Sequence, residues 1–252
     1  SDLDLLSRFF VFLCIFSQSG LSAQTNQVLA ENMVIVVNDN DPDSLAIGKY
    51  YAQQRGVPES RIVPLNMPTE ETITVTQYVE RVANPLLNEL LDREWVKGVK
   101  DGAKDHFGRE RLAVSIHNIS YVVLIKGVPL RIANDATLLE EGTDKLPKQF
   151  RVNNGSVDGE LALLLAPPGT SMTALIPNPY FGKSSISSTD ANRILRVSRL
   201  DGPSKANVIQ VIDRTLEAEQ TGLMGRGYID TGGPHEKGDA WIRAAGEMVE
   251  AA

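Results

Sequence analysis

Two β-branched runs separated by one short helical stretch, all lying between Met33 and Leu65, constrain this chain more than any other feature. Met33-Val34-Ile35-Val36-Val37-Asn38 is apolar at consecutive positions, as expected of a strand buried on both faces rather than one. The turn residues Asp39-Asn40-Asp41-Pro42-Asp43-Ser44 stop it. From Leu45 to Arg55 the apolar positions recur at helical spacing, and Gly56 supplies the left-handed residue that closes helices. Arg61-Ile62-Val63-Pro64-Leu65 then reads as a second strand. A strand, a helix and a strand at this spacing form a βαβ unit, so a parallel sheet with a right-handed crossover is expected.

The rest of the chain extends this pattern. Val75, Val79, Val82, Leu86 and Leu90, followed by Trp95 and Val99, predict one long helix kinked at Pro85, with Lys97 to Arg111 as a solvated connection. Tyr121-Val122-Val123-Leu124-Ile125 is the clearest strand and ends at Gly127 and Pro129. Residues 133–188 are rich in Gly, Pro, Asn, Ser and Thr and read as an irregular insertion with a short helix near Leu161 to Leu165. Arg193 to Leu200 predicts a strand. A helix follows from Ser204 to Gly222, then a fifth strand at Arg226 to Asp230, and a last helix carrying Trp241, Ala245, Met248 and Val249. The fold class is therefore α/β: three layers, a mainly parallel sheet of about five strands, helices on both faces. An amphipathic helix that reaches the last residues is expected of a protein that continues past Ala252, so the α/β domain is expected to be incomplete at its C-terminus.

The N-terminus has a different character. Arg8, the apolar run Phe9 to Phe16 and small residues ending in Leu21-Ser22-Ala23 predict a signal peptide over residues 1–23, and with it a secreted or periplasmic chain. A buried N-terminal helix is the alternative, since Asp2, Asp4 and Leu21 are atypical of a leader. The apolar run is shorter than the ~20 residues a membrane span needs, so no transmembrane segment is expected in the mature chain. Cleavage after Ala23 would remove Cys14, the single cysteine, and with it any thiolate chemistry.

Charge and motifs narrow the function. The net charge is -7, from 32 acidic and 25 basic residues, and the basic residues are scattered, so a nucleic-acid partner is not expected. No nucleophile elbow, phosphate loop or dinucleotide fingerprint occurs, and no cofactor is implied. Gly222, Gly225 and Gly227 have the wrong spacing for such a loop. Asp39, Asp41 and Asp43 are spaced like the first half of a calcium loop. Ser44 and Tyr50 stand where that loop needs Gly and Glu, and helix capping accounts for the acids, so no metal site is assigned. His106, His117 and His235 show no metal-ligand spacing.

Ligands of parallel α/β sheets bind at the carboxyl ends of the strands. The candidate residues for that edge are Asn38, Asp39 and Asp41 after the first strand, Asp158 and Glu160 in the insertion, Arg199 and Asp201 at a strand end, and Asp230. Asp158 and Glu160 flank Gly159 and invite comparison with a paired-carboxylate hydrolase. Capping of the short helix that follows is the commoner use of such acids, and a structural ion pair is the commoner use of Arg199, Asp201 and Asp230.

Several segments taken together resemble an uncharacterised secreted family of exosortase-containing bacteria. They are Val34 to Asn38 with Pro42-Asp43-Ser44 and Tyr50-Tyr51-Ala52, Gly127-Val128-Pro129-Leu130, Ser156-Val157-Asp158-Gly159-Glu160-Leu161, Asn178-Pro179-Tyr180-Phe181 and Arg199-Leu200-Asp201-Gly202-Pro203. That family offers no activity to transfer. More distantly, the order of Tyr121 to Ile125, Gly127, Asp158, Tyr180, Arg199-Leu200 and a helix ending in Glu219 resembles the first half of gingipain-like cysteine peptidases, whose catalytic domain has a caspase-type sheet. The resemblance implies a catalytic His and Cys on later strands, so no catalytic residue carries over to this sequence. Two functions follow as expectations. One is an exported envelope domain, without a complete catalytic site in these residues, that recognises a cell-surface or exopolysaccharide component. The other is the front half of a hydrolase whose catalytic residues lie beyond residue 252.

Overall fold

The computed structural model describes residues 27–139, 142–167, 170, 172, 180–222, 225, 227–234 and 236–250. The expected leader lies outside them. The chain divides into two compact units, residues 1–210 and 211–252.

In the first unit, strand β1 (Val34–Asn38), helix α1 (Pro42–Arg55) and strand β2 (Ile62–Leu65) form the expected βαβ unit, with β1 and β2 parallel from Ile35 opposite Ile62 to Asn38 opposite Leu65. The helix begins earlier than its apolar spacing suggests. Asp41 is its N-cap, accepting hydrogen bonds from the Asp43 N–H at 2.9 Å and the Ser44 N–H at 3.4 Å, and Pro42 fills the first turn, where a missing N–H costs nothing. Gly56 ends it at φ 65°.

Further along come the short strand β3 (Thr72–Ile73), helix α2 (Val75–Tyr78) and helix α3 (Asn84–Asp92), the two helices joined by a π-helical turn at Val79–Ala83. The extra residue of that turn replaces the expected kink. Pro85 falls in the first turn of α3, so its lack of an N–H breaks no bond. The long helix predicted to run through Val99 ends at Asp92. Val96–Lys104 and Glu110–His117 instead form β4 and β5, an antiparallel hairpin in place of a solvated connection.

Strand β6 (Val122–Ile125) is followed by β7 (Arg131–Ile132), β8 (Gly155–Ser156), helix α4 (Val157–Ala162), helix α5 (Ser188–Ala191), β9 (Val197–Leu200) and α6 (Lys205–Thr221). Main-sheet order is β2-β1-β6-β9, parallel throughout, while β3-β7-β8 makes a second small sheet. The sheet thus has four strands where about five were expected. Residues 227–230, the described part of the predicted fifth strand, have no regular structure.

All five residues of β1 and all four of β6 are buried, which is why neither strand shows polar alternation. Val34, Val36, Val63, Leu65, Val122 and Leu124 face a cluster with Tyr78, Val82, Leu86 and Leu90 from the α2–α3 layer. Ile35, Val37 and Ile125 point the other way, to α1. The architecture is therefore three layers with helices on both faces. Each fully buried Val, Ile or Leu contributes roughly 1.5–3 kcal/mol of transfer free energy.

The second unit holds the end of α6 and the helix α7 (Glu236–Glu250). Gly246 of α7 is buried against the Ile229 side chain. No helix among the described residues is long and apolar enough to cross a membrane.

Gly48 sets how closely α1 lies on the sheet. A Cβ there would sit 2.6 Å from Val37 Cγ1 and 3.5 Å from Ile35 Cγ2, both on stiff β-branched side chains in the middle of β1. Gly48→Ala should therefore lower stability by about 1–3 kcal/mol despite the better helix propensity of Ala. Urea denaturation measures this, and a more stable variant would show that the helix seats differently.

Candidate functional site

The carboxyl edge of the sheet holds most of the predicted residues, and there they join backbone to backbone. Asn38 is fully buried at the end of β1. Its Nδ2 donates to the carbonyls of Pro68 (2.9 Å) and Gly127 (2.8 Å), and its Oδ1 accepts from the N–H groups of Asn40 (3.0 Å) and Met67 (3.3 Å). Its own N–H donates to Ser44 Oγ at 3.0 Å. Asp41 caps α1 and packs against Gly127, whose φ of 94° and crowded Cα leave no room for a side chain. Asp39 is exposed, and its N–H closes onto the Leu65 carbonyl at 2.8 Å.

Arg199 of β9 holds the other half of this edge. Its guanidinium grips Asp158, with Nε 3.0 Å from Oδ2 and Nη2 2.6 Å from Oδ1, and donates to the carbonyls of Val128 (2.7 Å) and Pro129 (2.9 Å). Asp201 lies 3.9 Å from Nη1 and accepts from the Gly202 N–H at 2.7 Å. Asp230 belongs to the second unit, where it accepts from the Gly232 N–H at 3.1 Å.

Asp158 and Glu160 part company. Ser156 is the N-cap of α4, its Oγ accepting from the Gly159 N–H at 2.9 Å. Asp158 turns to Arg199, while Glu160 enters a separate small cleft of about 40 Å3 between α2–α3, the hairpin and the chain after α4, all within the first unit. The two acids therefore do not form a pair around one substrate atom.

Residues from distant parts of the sequence build that cleft. The hairpin tip is a tight turn: Asp105 Oδ1 accepts from the N–H groups of Phe107 (3.0 Å) and Arg109 (2.9 Å), and Gly108 takes φ 89°. Asn84 at the start of α3 fastens the tip, its Nδ2 to the Gly108 carbonyl at 3.1 Å and its Oδ1 to the Glu110 N–H at 2.9 Å. Arg109 is thereby carried inward. Its Nε contacts Asp105 Oδ2 at 2.6 Å, its Nη2 donates to the Thr170 carbonyl, and its guanidinium lies 5.2 Å from the centre of the Phe107 ring.

Glu160 faces this group with its side chain 8% exposed and Arg109 Nη1 at 3.9 Å from its Oε2. That oxygen is buried with no hydrogen-bond partner among the described residues. Burial pushes the Glu160 carboxyl up to about 7, against the opposing pull of Arg109. Tyr78, also in the wall, has its hydroxyl pushed well above the usual range by burial, with Glu160 adding to the shift and Arg109 opposing it. A carboxyl in this state can hold or release a proton near neutral pH and can accept a hydrogen bond from an incoming group.

Sequence reasoning identified Glu160 but not Arg109, Asp105, Tyr78 or Thr170. The Asp105-His106-Phe107-Gly108 tetrapeptide was the available signal, since Asp at the first and Gly at the last position of a turn is a hairpin signature. Among the described residues, no group of three or more His, Cys, Asp or Glu converges on a common point. His117 uses both ring nitrogens on backbone, Nε2 toward the Ala191 carbonyl and Nδ1 toward the Ile119 N–H, each at 3.2 Å. His106 packs edge-on against Phe107. Cys14 and His235 lie outside the described residues. No family model, no curated protein and no solved structure matches the chain.

The Glu160 carboxyl makes stability depend on pH in a defined direction. Between about pH 4.5, where the unfolded carboxyl ionises, and pH 7, the folded chain holds a proton that the unfolded chain has lost. Stability should be fully present below that window and fall as pH rises through it, by an amount on the order of 3 kcal/mol. Glu160→Gln should remove this part of the slope in denaturation curves taken from pH 4 to 8. An identical slope in the variant would place the titration elsewhere.

Proposed function

We propose that this chain is an exported α/β domain of the cell envelope that binds a hydroxyl-rich polymer, of the kind found in surface or exopolysaccharide material, in the Glu160–Arg109 cleft. The observation that carries this reading is the buried Glu160 oxygen, which lacks a hydrogen-bond donor among the described residues and belongs to a side chain in the wall of a cleft. An unsatisfied buried acceptor costs about 1–3 kcal/mol, a cost that a ligand hydroxyl would offset.

The wall chemistry supports a sugar over a purely apolar or purely ionic ligand. Leu163 and Leu164, both part-exposed, offer an aliphatic surface for a sugar C–H face, while Glu160, Asp105 and Arg109 supply polar groups in the same wall. Export rests on Arg8, the apolar run Phe9 to Phe16 and the small residues through Ala23.

Two measurements test the reading. A panel of neutral and charged oligosaccharides, titrated against the protein by NMR, should include binders with dissociation constants of ~1 mM or tighter, and Glu160→Leu should abolish binding while leaving the fold intact. No binder in the panel, or binding unchanged in a folded Glu160→Leu protein, overturns the assignment. Separately, protein recovered from the envelope or medium of a producing cell should begin near Gln24, and an intact Ser1 terminus there would refute leader cleavage.

A further inference from the structure

The donors and acceptors in the cleft are unevenly committed. Arg109 directs Nε to Asp105 and Nη2 to the Thr170 carbonyl. Arg111 pairs with Asp101 at 3.3 Å. Asn84 uses both ends of its amide to hold the hairpin tip. On the acceptor side, Glu160 Oε2 is buried without a hydrogen-bond donor among the described residues. Glu110 Oε2 is also buried without one, although Lys100 Nζ forms an ion pair with it. With Glu110 held by Lys100, Glu160 Oε2 is the carboxyl oxygen of this cleft left without a close donor among the described residues, Arg109 Nη1 standing 3.9 Å from it.

Resting on the reading that this cleft binds a glycan, we infer that its ligand carries a protonated primary amine, as an amino sugar does, and that the ammonium docks on Glu160. An ammonium brings three donors and a charge, whereas a neutral hydroxyl brings one donor and none. The charges around Glu160 favour a cation. Arg109 is the cation nearest to Glu160, and its charge is already compensated by Asp105. The nearby Glu110–Lys100 and Arg111–Asp101 pairs are each balanced, and Tyr78 stays neutral in its burial. Ionised Glu160 is therefore the one uncompensated charge in this wall among the described residues, and a cation is its complement. Charge-assisted hydrogen bonds are roughly twice as strong as neutral ones.

Docking is a proton exchange whose charges balance. Below neutral pH the free carboxyl is protonated. When the ammonium binds, the carboxyl proton leaves for solvent, and a carboxylate–ammonium pair remains. Affinity for the amine should then rise as pH approaches 7 from below.

The test compares glucosamine, N-acetylglucosamine and glucose, which share a ring and differ in charge at one position. Chemical-shift titrations of the full chain at pH 6.5 should give glucosamine an affinity about tenfold above the other two, a preference that Glu160→Gln should abolish. Calorimetry of glucosamine at pH 6 in two buffers of different ionisation enthalpy should report release of close to one proton, absent in Glu160→Gln. Equal binding of all three sugars overturns the ammonium inference and leaves the glycan reading standing. Binding of none overturns both, and a glucosamine preference that persists in folded Glu160→Gln places the amine elsewhere and overturns the inference.

Discussion

The turn Gly127–Pro129, which carries the chain out of the central strand β6, is held from both sides by side chains that end on its carbonyl oxygens. Asn38 reaches it from β1 and Arg199 from β9. A backbone turn has no hydrophobic reason to lie in one place, and its buried carbonyls need donors. Two of the four parallel strands supply those donors, so the turn fixes the register of the carboxyl edge as well as its own path. Gly127 completes the arrangement because its positive φ lets the chain pass directly over Asp41. Removing Arg199 would leave the half-buried Asp158 carboxylate and the Val128 and Pro129 carbonyls short of donors, a larger loss than any single exposed ion pair represents.

This arrangement commits the carboxyl edge, where parallel sheets commonly receive ligands, to internal bonds around Asn38 and Arg199. At the edge of β1 the polar atoms of Asn38 are satisfied internally, and a fully satisfied network gives an incoming ligand nothing to replace. The cleft around Glu160 is the opposite case. It is assembled by a hairpin that leaves the sheet, returns through Asn84 and delivers Arg109 beside an acid from α4. Both sites contain carboxylates and an arginine, and they differ in whether the acid has been given enough donors.

Much of the frame was legible in the sequence because burial on both faces writes itself as unbroken β-branched runs. Val34 to Asn38 and Val122 to Ile125 fall where they were expected, as does the helix closed by Gly56. The hairpin was not legible, for a physical reason. Trp95 and Val99 follow Leu86 and Leu90 at five- and four-residue steps that imitate helical spacing, while only two of the nine residues of β4 are withdrawn from solvent, Val96 fully and Gly98 in part. An exposed two-stranded ribbon has little apolar alternation to display, so its turn chemistry is its main signature. The candidate edge residues were found by position along the strands, yet position could not say that Asp158 and Glu160, two residues apart, would face different neighbours. That outcome follows from the 100° step of the short helix that carries them.

Glu160 is a burden on the folded chain. A leucine at this position would fill similar space without a desolvated carboxyl, so within the isolated domain the acid contributes nothing that hydrophobic packing would not supply equally well. Its side chain lies in the wall of the cleft, and any group that bonds it there binds the folded state alone. Such a ligand stabilises the fold by RT ln(1 + [L]/Kd), about 2.7 kcal/mol at a hundredfold excess over Kd, comparable to what the buried carboxyl takes away near neutral pH. Occupancy of the cleft and stability of the three-layer domain are therefore one equilibrium, with the Glu160 carboxyl as the group through which each is felt by the other.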